Sequence, residues 1–290
     1  MQYTVTSAED GQRLGTVLRS ALQLSSSAIR RAKWNGRILL NGEPARTMDP
    51  VAAGDVVSLL PETAAPAFLP RPYALEIPIA WRGGDLLIVD KPAPLASQSG
   101  KNHPDDSLEN ALYWQLGCPE GFVYRPVNRL DKGTSGLMAV ALTGEEQARM
   151  QRHLHTDLFR RVYLAVTDGL PPAEEGVIDF PIGKADGATI RRECRRDGKP
   201  CLTRYRVEQV RGDRALLRLE LETGRTHQIR VHLSALGCPV FGDFLYGTES
   251  PDLPGRFALH SAEITFPTLN GESVHLSSPL PETLAALMRS

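Results

Sequence analysis

Five prolines, Pro61, Pro66, Pro70, Pro72 and Pro78, crowd one stretch of the chain together with Ala64, Ala65 and Ala67. Proline fixes φ and removes an amide donor, so neither a helix nor a sheet ladder runs through such a stretch. The stretch predicts an extended linker over residues 61–78, between an amino-terminal module of residues 1–60 and a body of residues 79–290. No internal repeat or low-complexity tract competes with that division. Each part must then bury its own core, and a chain of 290 residues with 41% hydrophobic and 23% charged residues can do so. No apolar run approaches the roughly 18 residues of a membrane span, and residues 1–10 lack a basic start backed by an apolar stretch. A cytoplasmic location is expected, with no membrane partner. Cys118, Cys194, Cys201 and Cys238 are too scattered for a disulfide framework and contain no Cys-x-x-Cys pair. His153 and His155 are two apart, which on a helix sends them to nearly opposite faces, so no metal site is expected.

In the amino-terminal module Leu14, Val17, Leu18 and Leu22 recur at helical spacing, predicting a helix over residues 11–24. A second helix follows, with the serines at 25–27 as cap, Ile29 and Ala32 facing inward and Gly36 as stop. Residues 38–44 read as a strand with a turn at Asn41 and Gly42, and residues 51–61 as a turn at Gly54 and Asp55 leading into a last strand. Between residues 11 and 46 stand Arg13, Arg19, Arg30, Arg31, Lys33, Arg37 and Arg46 against the single acid Glu43. On charge alone this is a solvated helix face.

The body mixes strand and helix signals. Residues 85–92, 136–143 and 162–169 are apolar runs short enough for buried strands. Leu217, Leu219 and Leu221 alternate with Arg218, Glu220 and Glu222, which marks a half-exposed strand. Thr143 with Glu146 predicts a capping box opening a helix over residues 145–158, and Ile229, Leu233 and Leu236 share one face of a second helix closed by Gly237. Strands and helices do not alternate regularly. The expected fold class is therefore α+β, a mixed and mostly antiparallel sheet with flanking helices, preceded by a small α/β module.

Three segments carry chemistry. The first places Arg129 and Asp131 on a polar loop running through Gly133, Thr134, Ser135 and Gly136 into a strand; alone, this could be a loop salt bridge. The second starts an apolar strand at Tyr163 behind Arg160 and Arg161, where a core ring is the plainer reading. The third crowds Arg225, Thr226, His227, Gln228 and Arg230 at a strand-to-helix turn, as a polar cap or a converging site.

The order of elements in residues 11–60, from the serine cluster through Ile-Arg-Arg, Gly, Asn-Gly and Gly-Asp-x-Val, resembles the small RNA-binding domain first seen in ribosomal protein S-four. That resemblance implies that Arg30, Arg31, Lys33 and Arg37 lie against RNA phosphates. Across residues 79–280, Arg-Leu-Asp-x-x-Thr-Ser-Gly, a Tyr-Leu-Ala strand start, Gly-Arg-Thr-His-Gln-Ile-Arg-x-His and Gly-Asp-x-x-Tyr-Gly together resemble the RluA-type pseudouridine synthases. Ser135 and the run Thr226 to Gln228 separate the chain from the related RsuA type.

The resemblance implies an isomerase that detaches uracil from ribose within RNA, turns the base and rejoins it through carbon 5. Asp131 would be the catalytic carboxylate, paired with Arg230; Tyr163 would stack on the uracil; Arg129 would fill the gap left by the extruded base. Thr134, Ser135, Arg225, His227 and Gln228 would support the site. Asn128 stands where many relatives have His, and Pro94 where Gly is common.

A second basic cluster between residues 184 and 206 includes Arg191, Arg192, Arg195 and Arg196, for which phosphate contact is expected. The formal net charge of -1 is thus an average over basic stretches and acids elsewhere. The expectation is a monomer that acts on structured RNA, ribosomal RNA before transfer RNA, with no cofactor and no metal. A non-catalytic RNA-binding assembly factor and an RNA base hydrolase are the competing readings.

Overall fold

The computed structural model describes residues 2–22, 24–34, 37–60, 69–100, 102–154 and 156–289. Gly36, His155 and the linker residues Pro61, Ala64, Ala65, Pro66 and Ala67 lie outside them. The chain divides into two compact units, Met1–Ala65 and Pro66–Ser290.

The smaller unit contains β1 (Gln2–Thr4), α1 (Leu14–Ser20), α2 (Ser26–Trp34), β2 (Ile38–Leu40), β3 (Glu43–Pro44) and β4 (Val56–Leu59), its strands ordered β1-β4-β2-β3. Leu14, Val17 and Leu18 meet Ile29, Ala32, Ile38 and Val57 in one buried cluster, as the helical spacing requires. The first helix is shorter than that spacing suggests, because Gly11 adopts φ +73° and Arg13 is extended. Asn41 and Gly42 both take positive φ, the backbone of a tight hairpin turn, and the Asn41 amide group also receives the Val56 N–H at 2.8 Å.

The larger unit is built on one sheet in the order β10-β13-β14-β9-β15-β8-β6-β5, with β16 beside β15 and β7 beside β8. The strands are β5 (Ile79–Gly83), β6 (Leu86–Lys91), β7 (Arg125–Pro126), β8 (Ser135–Ala141), β9 (Arg160–Asp168), β10 (Glu175–Ile178), β13 (Thr203–Arg211), β14 (Arg214–Leu221), β15 (Leu259–Pro267) and β16 (Ser273–Ser277), while β11 (Ile182–Lys184) and β12 (Arg192–Cys194) form a separate ribbon. Among the pairings of the described strands, only β15–β8 is parallel. The helices are α3 (Leu108–Gln115), α4 (Gly144–His153), α5 (Gln228–Ala235) and the short α6 (Glu282–Ala285).

The unbroken apolar runs of β6 and β8 follow from burial on both faces. Leu87, Val89, Met138 and Val140 enter the main core with α3, α5 and β14. Leu86, Ile88, Leu137 and Ala139 enter a second core with Met150 of α4 and with Phe266. β14, by contrast, buries Ala215, Leu217 and Leu219 and turns Arg218 outward, where it grips Glu263 at 2.6 and 2.9 Å.

At α4 the expected capping box is only half made. The Thr143 hydroxyl receives the Glu146 N–H at 3.2 Å, but the Glu146 carboxylate turns to Arg149 instead of reaching back. The helix also stops at His153 rather than continuing to residue 158. Among the described residues, no helix is long and apolar enough to cross a membrane.

Candidate active site

The first and third segments converge although about a hundred residues separate them. Asp131 sits on the loop between β7 and β8, and two glycines let that loop close. A Cβ on Gly133 would lie 2.6 Å from the Phe257 ring, and one on Gly136, at φ +107°, would lie 2.3 Å from the Ser261 carbonyl oxygen. The loop is braced from below. The Ser97 hydroxyl donates to the Leu130 carbonyl at 2.6 Å, and the Leu95 N–H donates to the Lys132 carbonyl at 3.0 Å. Lys91, fully buried, donates to the carbonyls of Leu95 at 2.8 Å and Pro92 at 3.0 Å. Burial pushes its pKa down to about 7, against the pull of the Asp131 charge.

Arg230 projects from α5 into this loop and is itself buried. Its Nη1 donates to Asp131 Oδ2 at 2.9 Å, while Nε and Nη2 donate to the two carboxylate oxygens of Asp243 at 2.6 and 2.8 Å. Asp243 Oδ1 also receives the N–H groups of Leu245 and Tyr246. The guanidinium packs 4.1 Å from the Phe257 ring centre and 5.0 Å from that of Tyr246. A planar fork held on one side by a buried carboxylate has a fixed direction on the other. Asp131, 27% exposed, receives that other side and faces a cavity of about 570 Å³.

Arg129, Asp131, Thr134, Tyr163, Arg225, His227, Gln228 and Arg230 all line this cavity, together with Asn128 and Arg161. Arg129 is exposed at its rim. Burial raises the pKa of the Tyr163 hydroxyl, and the charge of Arg161 works against that rise.

Three hydrogen-bond chains explain the polar motif residues. Each ends in a histidine whose ring hydrogens follow from its partners. Arg256 Nη2 donates to Ser135 Oγ, which donates to His260 Nδ1 at 2.9 Å, so His260 Nε2 donates to the Ser278 carbonyl. Gln228 Nε2 donates to Thr203 Oγ1, which donates to His232 Nδ1 at 2.9 Å, so His232 Nε2 donates to the Phe180 carbonyl. The Arg192 N–H donates to Tyr246 Oη, which donates to His227 Nδ1 at 2.8 Å. That contact leaves His227 Nε2 on the side of Asp131 Oδ1, 3.9 Å away. Ser135 and Gln228 brace the scaffold, whereas His227 addresses the carboxylate. His227 holds φ +59° at the start of α5, a conformation its ring contacts must sustain. Burial lowers the pKa of all three histidines.

Arg30 and Lys33 are exposed on α2, Arg31 falls within the same helix, and Arg37 holds the Leu60 carbonyl at 2.7 Å. Arg191 and Arg196 are exposed around β12, with the Arg191 guanidinium 5.9 Å from the Tyr246 ring centre. Arg195 is met within its own hairpin by Asp186 at 2.7 Å, Asp197 at 2.5 Å and Glu193 at 3.5 Å. Among the described residues, no group of His, Cys, Asp and Glu is arranged to hold a metal ion.

Sequence reasoning gave no role to Lys91, Ser97, Arg161, Asp243 or Tyr246. Asp243 had a signal: an acid within the mostly apolar stretch 238–246 needs a buried partner. Ser97 and Arg161 had none, since their roles depend on what lies across from them.

The profile of a family described as RNA pseudouridylate synthase matches residues 85–235. A ribosomal large subunit pseudouridine synthase D of Xanthomonas campestris is 34% identical over 309 residues, covering 99% of this chain and 91% of that protein. An uncharacterized RNA pseudouridine synthase of Bacillus subtilis, YjbO, is 33% identical, covering 92% of this chain and 95% of its own. Among solved structures, human RNA pseudouridylate synthase domain containing 1 superimposes with a TM-score of 0.60 at 29% identity, covering 73% of this chain and 87% of that one.

Proposed function

The chain belongs to the RNA pseudouridylate synthase family, and on that premise we propose that it converts uridines of large-subunit ribosomal RNA to pseudouridine, with Asp131 as the catalytic carboxylate. The choice of RNA rests on relatives named for the large ribosomal subunit. The choice of Asp131 rests on one observation, the Arg230 fork that joins it to buried Asp243 at the wall of the cavity. The flipped uracil stacks on Tyr163 and meets Asp131, while Arg129 at the rim occupies the gap in the RNA. Isomerisation conserves every atom of the nucleotide, so the chain's own residues suffice and no cofactor is invoked.

The smaller unit reads as an S-four-like RNA-binding domain whose exposed Arg30 and Lys33 meet phosphates, with Arg191 and Arg196 as a second contact. Arg37 and Arg195 serve the fold instead, each already holding local acceptors. The protein acts as a monomer in the cytoplasm.

The test is incubation with ribosomal RNA carrying tritium at uracil carbon 5. The wild type releases label to water with the RNA chain intact, and Asp131→Ala releases none. Full release by the variant refutes the assignment of Asp131, and free uracil in place of pseudouridine indicates a hydrolase. Sequencing pseudouridines in cells with and without the gene identifies the uridine; a loss confined to transfer RNA overturns the ribosomal reading.

A further inference from the structure

Arg161 lies two residues before Tyr163 on β9, so both side chains leave the same face of the strand, roughly 7 Å apart along it. Both line the cavity that holds Asp131. Arg161 is 5% exposed, and its Nε and Nη2 have no hydrogen-bond partner among the described residues. Arg125, Arg192 and Arg256 each leave only Nε in that condition. The ion pairs of the cavity wall join Arg230 and His227 to Asp131, and Arg230 to Asp243; none includes Arg161. The Phe159 ring packs 5.8 Å from the guanidinium carbon, and Gly224 is the closing neighbour, since a Cβ there would come within 3.5 Å of Nη1.

A guanidinium stays charged at any working pH. Desolvated without a counter-charge it is costly to keep, so a buried arginine normally faces an acid, as Arg230 does. A neutral uracil carbonyl accepts hydrogen bonds but leaves the charge unmatched. A phosphodiester does both, with paired oxygens that suit two free N–H groups. The Arg161 guanidinium lies against the Tyr163 hydroxyl, whose pKa it holds down, so an anion bound by Arg161 sits beside the face where the base stacks.

We propose that Arg161 forms a phosphate subsite inside the catalytic cavity, binding a phosphodiester next to the target uridine as its base enters. This rests on the cavity being the uridine pocket proposed above. Arg161 is then a positioning residue: it anchors the backbone of the flipped nucleotide so that Tyr163 and Asp131 meet the base and sugar in register.

The test uses a synthetic RNA hairpin built around the mapped uridine, in three forms: natural, with a neutral methylphosphonate on its 5′ side, and with one on its 3′ side. Arg161→Gln lowers kcat/KM on the natural hairpin by on the order of 10- to 100-fold, and Arg161→Lys recovers part of the loss. One of the two methylphosphonates slows the wild type by a similar factor but slows Arg161→Gln no further, because both changes remove one contact. The substrate change needs no variant, so misfolding of Arg161→Gln does not confound it. The proposal is overturned if both methylphosphonates slow the variant as much as the wild type, the pattern of an arginine that reads the base, or if Arg161→Gln is fully active. A wild type that makes no pseudouridine in any RNA removes the functional reading itself, and the subsite with it.

Discussion

Arg230 and Arg195 are two arginines that each hold more than one carboxylate, in opposite surroundings. Arg230 is 3% exposed, stacked among aromatic rings, and joins Asp131 to Asp243. Arg195 is 29% exposed and gathers Asp186, Glu193 and Asp197, all of them largely open to water. Water and salt screen the second set, so it shapes a hairpin and little more. The first set is desolvated, so each member depends on the others, and the direction of Arg230 becomes the direction of Asp131. Similar lists of ion pairs thus describe a surface staple and a fixed support for Asp131.

The largest expected effect comes from breaking the buried set at its hidden end. Asp243→Ala leaves Arg230 desolvated with one partner and costs about 3–5 kcal/mol of stability, read from denaturant melts. Tritium release falls with it, although Asp243 does not line the cavity. Release at the wild-type rate would break the contrast between the two arginines. Arg230→Lys comes next: it keeps the charge but cannot hold both acids with one fork, so kcat falls on the order of 100-fold with the fold retained.

Tyr246→Phe removes the donor that sets the His227 ring and is expected to lower kcat on the order of 10-fold. The ¹⁵N shifts of His227 report the cause directly: Nε2–H dominates in the wild type, and a mixture of tautomers appears in the variant.

A pH effect follows from the three buried histidines. Burial lowers their folded pKa values below the ordinary 6.5, so below that pH the unfolded chain binds protons that the folded chain refuses. Stability therefore falls with falling pH, starting near 6.5, by up to about 1.4 kcal/mol per pH unit for each histidine. His260→Gln, which leaves the cavity untouched, should flatten this slope. The smallest effect is at the exposed staple. Arg195→Ala leaves the melting temperature close to wild type and leaves RNA affinity unchanged, whereas Arg196→Ala weakens binding and shallows its salt dependence, as loss of a phosphate contact should.

Much of the fold was legible because its signals are local. The alternation in β14, the double-sided apolar runs of β6 and β8 and the Asn41–Gly42 turn each need only neighbouring residues to be read. The errors were local too. Gly11 shortened α1, and Arg149 drew Glu146 away from its box, since a buried ion pair outweighs one capping bond.

The sequence by itself determined the side chains available, Asp131, Tyr163, His227 and Arg230, in a chain whose residues 85–235 match a family of RNA-modifying enzymes. Only the tertiary structure decided that the Arg230 fork ties Asp131 to buried Asp243, that Ser135 and Gln228 brace histidines, and that Arg161 lines the cavity with its Nε and Nη2 unmatched among the described residues. The physical reason is that composition and periodicity specify what a segment presents on its own faces. An ion pair, a tautomer or an unmatched charge is a relation between segments, and it exists only once the chain has folded them together.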